Sequence, residues 1–488
     1  MRRVSLSALR LAAASTSTSR KLNHSTRPLV SVTPSPAAIA TAAAAAAAAT
    51  SFSTMSRSSS AHSASSNSAG PEKKAVPVFP PPAPPLTFPL TFPTTGFQLI
   101  DPSEKVEEEK DETYDPKERY PARLGQIIPH GKNQYQIIAK LGYGSSSAVW
   151  LCYNLWKNEY KALKIHINTL PVIRELEIFE HLHNTLAQDT QREVTDPMRA
   201  HLRRIDDHFT IPGPQPGTTH HVFVFEPLGF SLLQYQETKP DRILAQNVVQ
   251  MALVKALLGL IYLHAVANVT HTDFHSGNLH FEITDRSIFA EAAISETKTN
   301  PSPRKVTKDS VIYTSRDIMS GAGEIILCDF GLARIGDEHQ GPAMPLRYRA
   351  PEVNLGMIWG HAVDVWSYAL TAWDLLQPTS LFKNHDGLGT ELYTAHHLAE
   401  MVALMGPPPR EFLSRSKACE KYWDKDGRWK HATVKVPTER TIESLQKALT
   451  GKDAAVFMNF IRKVLCWLPD QRPSVLELLE DPWVKGGM

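Results

Sequence analysis

HTDFHSGN, residues 271–278, follows NVVQMALVKALLGLIYLH at 247–264, a long apolar run that reads as a core helix. The helix delivers an acid, Asp273, and five residues later an amide, Asn278, to one short loop. A second acid, Asp329, stands in CDFGLAR at 328–334, and YRAPEV follows at 348–353. Alone, each piece is an ordinary short string. Their order and spacing carry the information.

The 488 residues suffice for one large or two ordinary domains with tails. With 42% hydrophobic and 21% charged residues, a globular core can be built. A net charge of +2 predicts no strong draw to nucleic acid or to a membrane surface. Cys152, Cys328, Cys419 and Cys466 form no C-x-x-C pair, which fits a reducing compartment and gives no metal-site spacing. No window holds 18 uninterrupted apolar residues, so no membrane span is expected.

Residues 1–75 read as a disordered tail rich in Ser and Ala, with its first acid at Glu72. The first 30 residues have the make-up of a mitochondrial presequence: Arg and Ser without acids. A non-targeting tail, or a true start at Met55, are the other readings, and a cytoplasmic or nuclear location is expected. Residues 76–134 read as a linker. It opens with VPVFPPPAPPLTFPLTFPT at 76–94, an extended spacer or an SH3 or WW docking motif. EKVEEEKDE at 104–112 reads as a solvated acidic run. From Tyr135 onward apolar runs alternate with turn signals.

LGYGSSSAVW at 141–150 joins two apolar runs through Gly142 and Gly144, with Ser147 where a third glycine would stand. Such a turn can lay backbone N–H groups over phosphates, although many hairpins carry a lone G-x-G. KALK at 161–164 follows, then RELEIFEHL at 174–182 with Leu176, Phe179 and Leu182 at helical spacing. HVFVFEPLG at 221–229 reads as a buried strand running into a hinge.

In this order, from 135 to 484, the motifs resemble those of eukaryotic protein kinases. HTD, EPLG, YRAPEV and GPPP (406–409) are similar to the branch holding cyclin-dependent, MAP and SR-protein kinases. HVFVFEPLG together with HTD is most similar to the SR-protein kinases and related fungal kinases. The resemblance implies an α+β fold of two lobes, a β-rich N-lobe at 135–228 and a helical C-lobe at 229–484. It implies ATP and Mg²⁺ as cofactors and a protein substrate with a Ser or Thr acceptor. A monomer without direct nucleic-acid binding is expected.

The resemblance also implies roles. Leu141, Gly142, Gly144, Val149 and Ala162 cover the nucleotide, and Phe225 stands behind the adenine. Glu226 and Leu228 offer backbone groups to its edge, and His280 floors it. Lys164 holds phosphates and pairs with a helix glutamate, Glu175, for which Glu177 is an alternative. Asp273 accepts or orients the proton of the substrate hydroxyl, while Asn278 and Asp329 hold Mg²⁺. Asp364 braces the catalytic loop, and Arg472 closes an ion pair with Glu352.

Departures from the pattern are equally specific. Thr272 replaces an Arg that commonly pairs with a phosphorylated activation loop, and residues 331–350 contain no Ser or Thr, Tyr348 being the only hydroxyl. Activity without activation-loop phosphorylation is therefore expected. His275 replaces a Lys that steadies the γ-phosphate, and Pro345 replaces the Thr that usually partners it. Slower turnover, rising as pH falls toward 6, is expected from a protonated His275 beside phosphate. Asn278 and Asp329 lie 51 positions apart, so about 285–322 reads as a disordered insert. Residues 405–452 hold 11 Lys or Arg against 6 Asp or Glu, which does not favour an acidic docking groove for Arg–Ser peptides. The rival readings are a kinase-fold scaffold without transfer, and an interaction protein working through its Pro-rich segment.

Overall fold

The computed structural model describes residues 86–169, 174–308, 310–319, 323–385 and 387–488. The expected tail, the presequence-like start and the Pro-rich stretch up to residue 85 lie outside the described residues. Six strands form one antiparallel sheet: β1 (Ile127–His130), β2 (Asn133–Tyr143), β3 (Ser147–Asn154), β4 (Glu159–His166), β5 (Asp207–Pro212) and β6 (Thr219–Phe225). Their order is β1-β2-β3-β4-β6-β5. Register shifts between Ile137 and Ala139 and between Lys140 and Gly142 bend β2 where it approaches the glycine turn. Helix α1 (Arg174–Gln188) packs on this sheet through Glu175, Ile178, Phe179 and Leu182, one face at i, i+3, i+4 and i+7.

A short strand, β7 (Leu228–Ser231), carries the chain into a helical lobe. Ser231 caps the next helix in a reciprocal box with Gln234. Helix α2 (Gln246–Ile261) is buried on nearly every side, as an almost uniformly apolar helix must be. The run Gln246–Val266 is long and apolar enough to cross a membrane, but most of it is buried in the lobe, so its apolarity is that of a core helix. After α2 come β8 (Val269–Thr270) and β9 (Leu279–Glu282), and after the insert β12 (Ile325–Leu327) and β13 (Arg334–Ile335). The catalytic-loop stretch hangs between β8 and β9, and the CDFGLAR stretch between β12 and β13. β9 lies between β12 and β7, while β13 pairs with β8, so both stretches are held on two short sheets. Helices α3 (Ala362–Leu376) and α4 (Gly451–Val464) pack behind them, with Trp366, Trp373 and Trp483 filling the core. This is the expected α+β architecture of two lobes.

Two expectations are corrected. The insert is built rather than loose: a helix (Ser287–Ile294) and the hairpin of β10 (Arg304–Val306) and β11 (Val311–Tyr313) lie against the N-lobe. Phe289, Ala293 and Ile318 join Ile138, Ala139 and Leu151 in one cluster, and Trp150 meets Tyr313 edge-on. Average composition hides these apolar residues among Ser, Thr and Lys. The described part of the linker, 86–134, is also packed. Phe88 stacks on Tyr153 at 3.6 Å between ring centroids, and β1 pairs with β2. The acidic run is not merely solvated. Glu108 pairs with Lys140, itself only 1% exposed, and Glu109 pairs with Lys305 at 2.8 Å. Lys140 of the sheet and Lys305 of the insert thus find their counter-charges in that run.

Candidate active site

Strand β4 and helix α1 meet through Lys164, whose Nζ lies 2.6 Å from Glu175 Oε2 and 3.3 Å from Asp329 Oδ1. The structure thereby resolves the helix acid as Glu175; Glu177 is exposed. Burial opposes the Lys164 ammonium, but Asp329 and Glu175 outweigh it and raise its pKa above the ordinary lysine value. The same ammonium holds the Asp329 carboxyl below the usual carboxylate range. About half of the Asp329 side chain stays open to the cleft.

The catalytic loop is fixed from below. The backbone N–H groups of His271 and Thr272 both donate to the Asp364 carboxylate at 2.7 Å, and His264 Nε2 is 2.8 Å from it. Asp364 is fully buried, and its place in the first turn of α3 is what aims it at the loop. Thr272 takes a left-handed φ of 67° and its hydroxyl donates to the Leu332 carbonyl at 2.8 Å. The rings of His271, Phe330 and Phe179 form a column from loop to helix, with centroid separations of 5.5 and 5.4 Å. That column ties both lobes into one arrangement.

Within the loop, the Asn278 side-chain amide donates to the Asp273 carbonyl at 2.8 Å and to its carboxylate at 3.1 Å. Gly277 N–H donates to His275 Nδ1 at 3.1 Å, while His275 Nε2 lies 3.2 Å from the Asn278 side-chain nitrogen and 3.4 Å from Asp273 Oδ1.

Leu141, Val149, Ala162, Phe225 and the adjoining Leu279 belong to one apolar cluster at the lobe junction. Gly142 pairs with Val149 across the β2–β3 hairpin, and Val149 pairs with Lys164 across β3–β4. Gly144 sits at the tip of that hairpin. Leu228 opens β7 at the crossing between lobes, opposite Glu282 of β9. His280 lies on β9, its Nδ1 3.0 Å from the Gly229 carbonyl, and burial lowers its pKa. Three contacts had no signal in the sequence because their partners are far apart in it. Glu226 is gripped by Lys161 and by Arg286 of the insert. Arg203 lies over the face of Phe225, 4.5 Å from the ring centroid.

The activation segment is also held by contacts of its own. Tyr348 is buried and its hydroxyl donates to Asp374 at 2.7 Å, while Trp359 Nε1–H donates to the Gly341 carbonyl at 3.0 Å. Pro345 precedes the turn holding Tyr348, whose ring lies 5.8 Å from that of His275. Arg472 closes a two-bond pair with Glu352 at 2.7 and 2.8 Å, both side chains fully buried.

The residues also fit Mg²⁺. Asp329 is ionised, and its Oδ1 serves Lys164 and Gly331 while the other oxygen is uncommitted. Asn278 uses its nitrogen on Asp273, leaving its amide oxygen. Two hard oxygens completed by phosphates and water are a normal Mg²⁺ environment. Among the described residues no cluster of three or more His, Cys, Asp or Glu forms a cage of its own.

Comparison with known proteins agrees with this geometry. The protein kinase domain model matches residues 135–484. A serine/threonine protein kinase of Aspergillus fumigatus is 40% identical over 398 residues, covering 80% of this chain and 94% of the relative. The serine/threonine-protein kinase SRPK of Physarum polycephalum is 27% identical over 403 residues, 78% of this chain and 91% of the relative. The crystal structure of a kinase domain superposes with a TM-score of 0.56 at 23% identity, covering 76% of this chain and all of that one. The chain belongs to the protein kinase family, among its serine/threonine kinases.

Proposed function

We propose that this enzyme transfers the γ-phosphate of ATP to Ser or Thr hydroxyls of protein substrates, without prior phosphorylation of its activation segment. The observation that carries this reading is Lys164 bonded at once to Glu175 and Asp329, beside a loop in which Asn278 secures Asp273. In this reading Lys164 holds phosphates, and Asp329 and Asn278 hold Mg²⁺, which when bound neutralises phosphate charge. Asp273 orients the acceptor hydroxyl and takes its proton. Catalysis is positioning plus charge stabilisation. His275, its Nε2 3.4 Å from Asp273 Oδ1 and 3.2 Å from the Asn278 amide nitrogen, takes a positioning role beside both, where a Lys is usual. The Thr272–Leu332 bond and the buried Tyr348 support an activation segment ordered by its own contacts.

The test is phosphate transfer from ATP–Mg²⁺ by the full chain to Ser- and Thr-bearing peptides, basic and Arg–Ser, with Asp273→Asn and Asp329→Ala as controls. Transfer lost in both controls supports the reading. A scaffold reading draws on His275 standing where a charged residue is usual. Thermal stabilisation by ATP–Mg²⁺ with no transfer would favour that scaffold instead.

A further inference from the structure

Arg119 lies ahead of the matched kinase domain, in the stretch read from sequence as linker, yet it reaches the glycine turn. Its Nη2 donates to the Gly144 carbonyl at 2.8 Å and to the Ser145 carbonyl at 2.9 Å, and its Nη1 donates to the Ser147 carbonyl at 3.2 Å. The Ser146 carbonyl is taken by Ile167 N–H at 2.9 Å. All four carbonyls of the turn therefore have donors, three of them from one guanidinium.

The arginine is itself held in place. Asn168, just past β4, donates its N–H to the Glu118 carbonyl at 2.9 Å and its side-chain amide to the Lys117 carbonyl at 3.1 Å. The Tyr114 ring lies 5.4 Å from the Arg119 guanidinium carbon, and Tyr120 meets His220 edge-on at 5.3 Å. Ala122, three residues on, is buried. Among the described residues no carboxylate pairs with Arg119 within 4.0 Å, the Asp111 carboxylate feeling its charge only from further off.

Beyond Arg119 the turn is held by backbone bonds, Ile167 N–H to the Ser146 carbonyl and Gly144 N–H to the Ser147 carbonyl at 2.9 Å. A Cβ added at Gly142 or Gly144 meets nothing within 4 Å, so no side chain packs there. In a trans peptide the N–H of the next residue points opposite the carbonyl. Anchoring the carbonyls of Gly144 and Ser145 on Arg119 thus turns the N–H groups of Ser145 and Ser146 the other way, where an anion can take them. A fork of guanidinium donors does this in one piece; a lysine ammonium, a point donor, does not.

We propose that Arg119 is a positioning residue of the nucleotide site: it clamps the glycine turn from outside the kinase domain, and so sets affinity for the phosphates of ATP. The proposal rests on the kinase reading above.

The test compares the full chain with Arg119→Ala and Arg119→Lys, by steady-state kinetics and by equilibrium binding of ATP–Mg²⁺ and of adenosine. Losing these charged hydrogen bonds is expected to raise KM for ATP roughly three- to tenfold. The kcat should change by less than about twofold, with the peptide KM unmoved. Adenosine, which has no phosphates, should bind all forms equally, and Arg119→Lys should recover part of the ATP affinity. An unchanged KM for ATP overturns the clamp. So does an equal loss of adenosine and ATP affinity, which would mean general loosening of the N-lobe. A wild-type chain that binds no ATP overturns the kinase reading itself, and the clamp with it.

Discussion

The hydroxyl of Thr272 donates to the Leu332 carbonyl at 2.8 Å, across the junction between the catalytic loop and the activation segment. The position that commonly carries a phosphate-seeking arginine is here a buried tether, strengthened by the pairing of β13 with β8. Thr272→Val removes the donor but keeps the shape. It should cost about 1 kcal/mol of stability and lower kcat severalfold. Phosphatase treatment of the wild-type chain should leave its activity unchanged. Chemical denaturation and a kinase assay before and after dephosphorylation check both outcomes.

Lys164 balances two carboxylates, so its loss leaves Glu175 and Asp329 facing each other. Lys164→Met should reduce kcat/KM by on the order of a hundredfold or more, since it removes a charge aimed at the phosphates. Peptide binding should be nearly unaffected. A fixed-peptide titration of ATP measures the first, and peptide affinity by calorimetry the second.

Arg472 and Glu352 are buried together with two bonds between them. Removing either partner strands a charge in the core, so Glu352→Ala or Arg472→Ala should destabilise the C-lobe by about 3–5 kcal/mol. The double variant should lose less than the sum of the two. A double-mutant cycle in urea gives the answer.

Phe289 is buried where the insert covers the N-lobe. Phe289→Ala should cost about 3 kcal/mol and expose the insert to protease. Limited proteolysis followed by mass mapping should find early cuts within 285–319 in the variant and not in the wild type.

Acid sensitivity should come from buried neutral histidines. Burial pushes His166, His361 and His397 each down to about 3. The unfolded chain takes up those protons near pH 6.5, whereas the folded chain does not until near 3. Stability from this source is therefore full above pH 6.5 and is lost as pH falls toward 3. Melting temperature measured from pH 7.5 down to 5 should decline steadily, and His397→Phe should flatten part of that slope.

The lobes and the column of catalytic residues were legible because each motif is local and the spacing between motifs is set by the fold. Asp364 was readable only through the family resemblance, which implies an acid there to brace the loop. Glu175 could not be separated from Glu177 until the helix face was known. The insert was misread because the apolar stretch SIFAEAAI at 287–294 is short and is diluted by the Ser, Thr and Lys that follow it when 285–322 is read as one segment. The linker was misread because counter-charges for Glu107, Glu108 and Glu109 lie in strands and insert far along the chain. His275 shows a different limit. Its contacts run to the Gly277 N–H, the Asn278 amide and Asp273, and the first of these is a backbone group, which no side-chain pattern announces.

The embrace of the early acidic run by the late insert has a consequence for how the chain is made. Lys305 bonds the Glu104 carbonyl 201 positions earlier, and Ser315 bonds Glu107 208 positions earlier. A growing chain emerging from the ribosome completes β1 to β6 well before those partners exist. Until residue 316 has left the exit tunnel, the sheet lacks the cover of the insert, and Lys140 lacks its bonds to the Tyr313 carbonyl and the Arg316 N–H. Such a nascent N-lobe must wait, exposed, for a segment encoded in the other half of the gene, and this is the stage at which chaperones would be needed most.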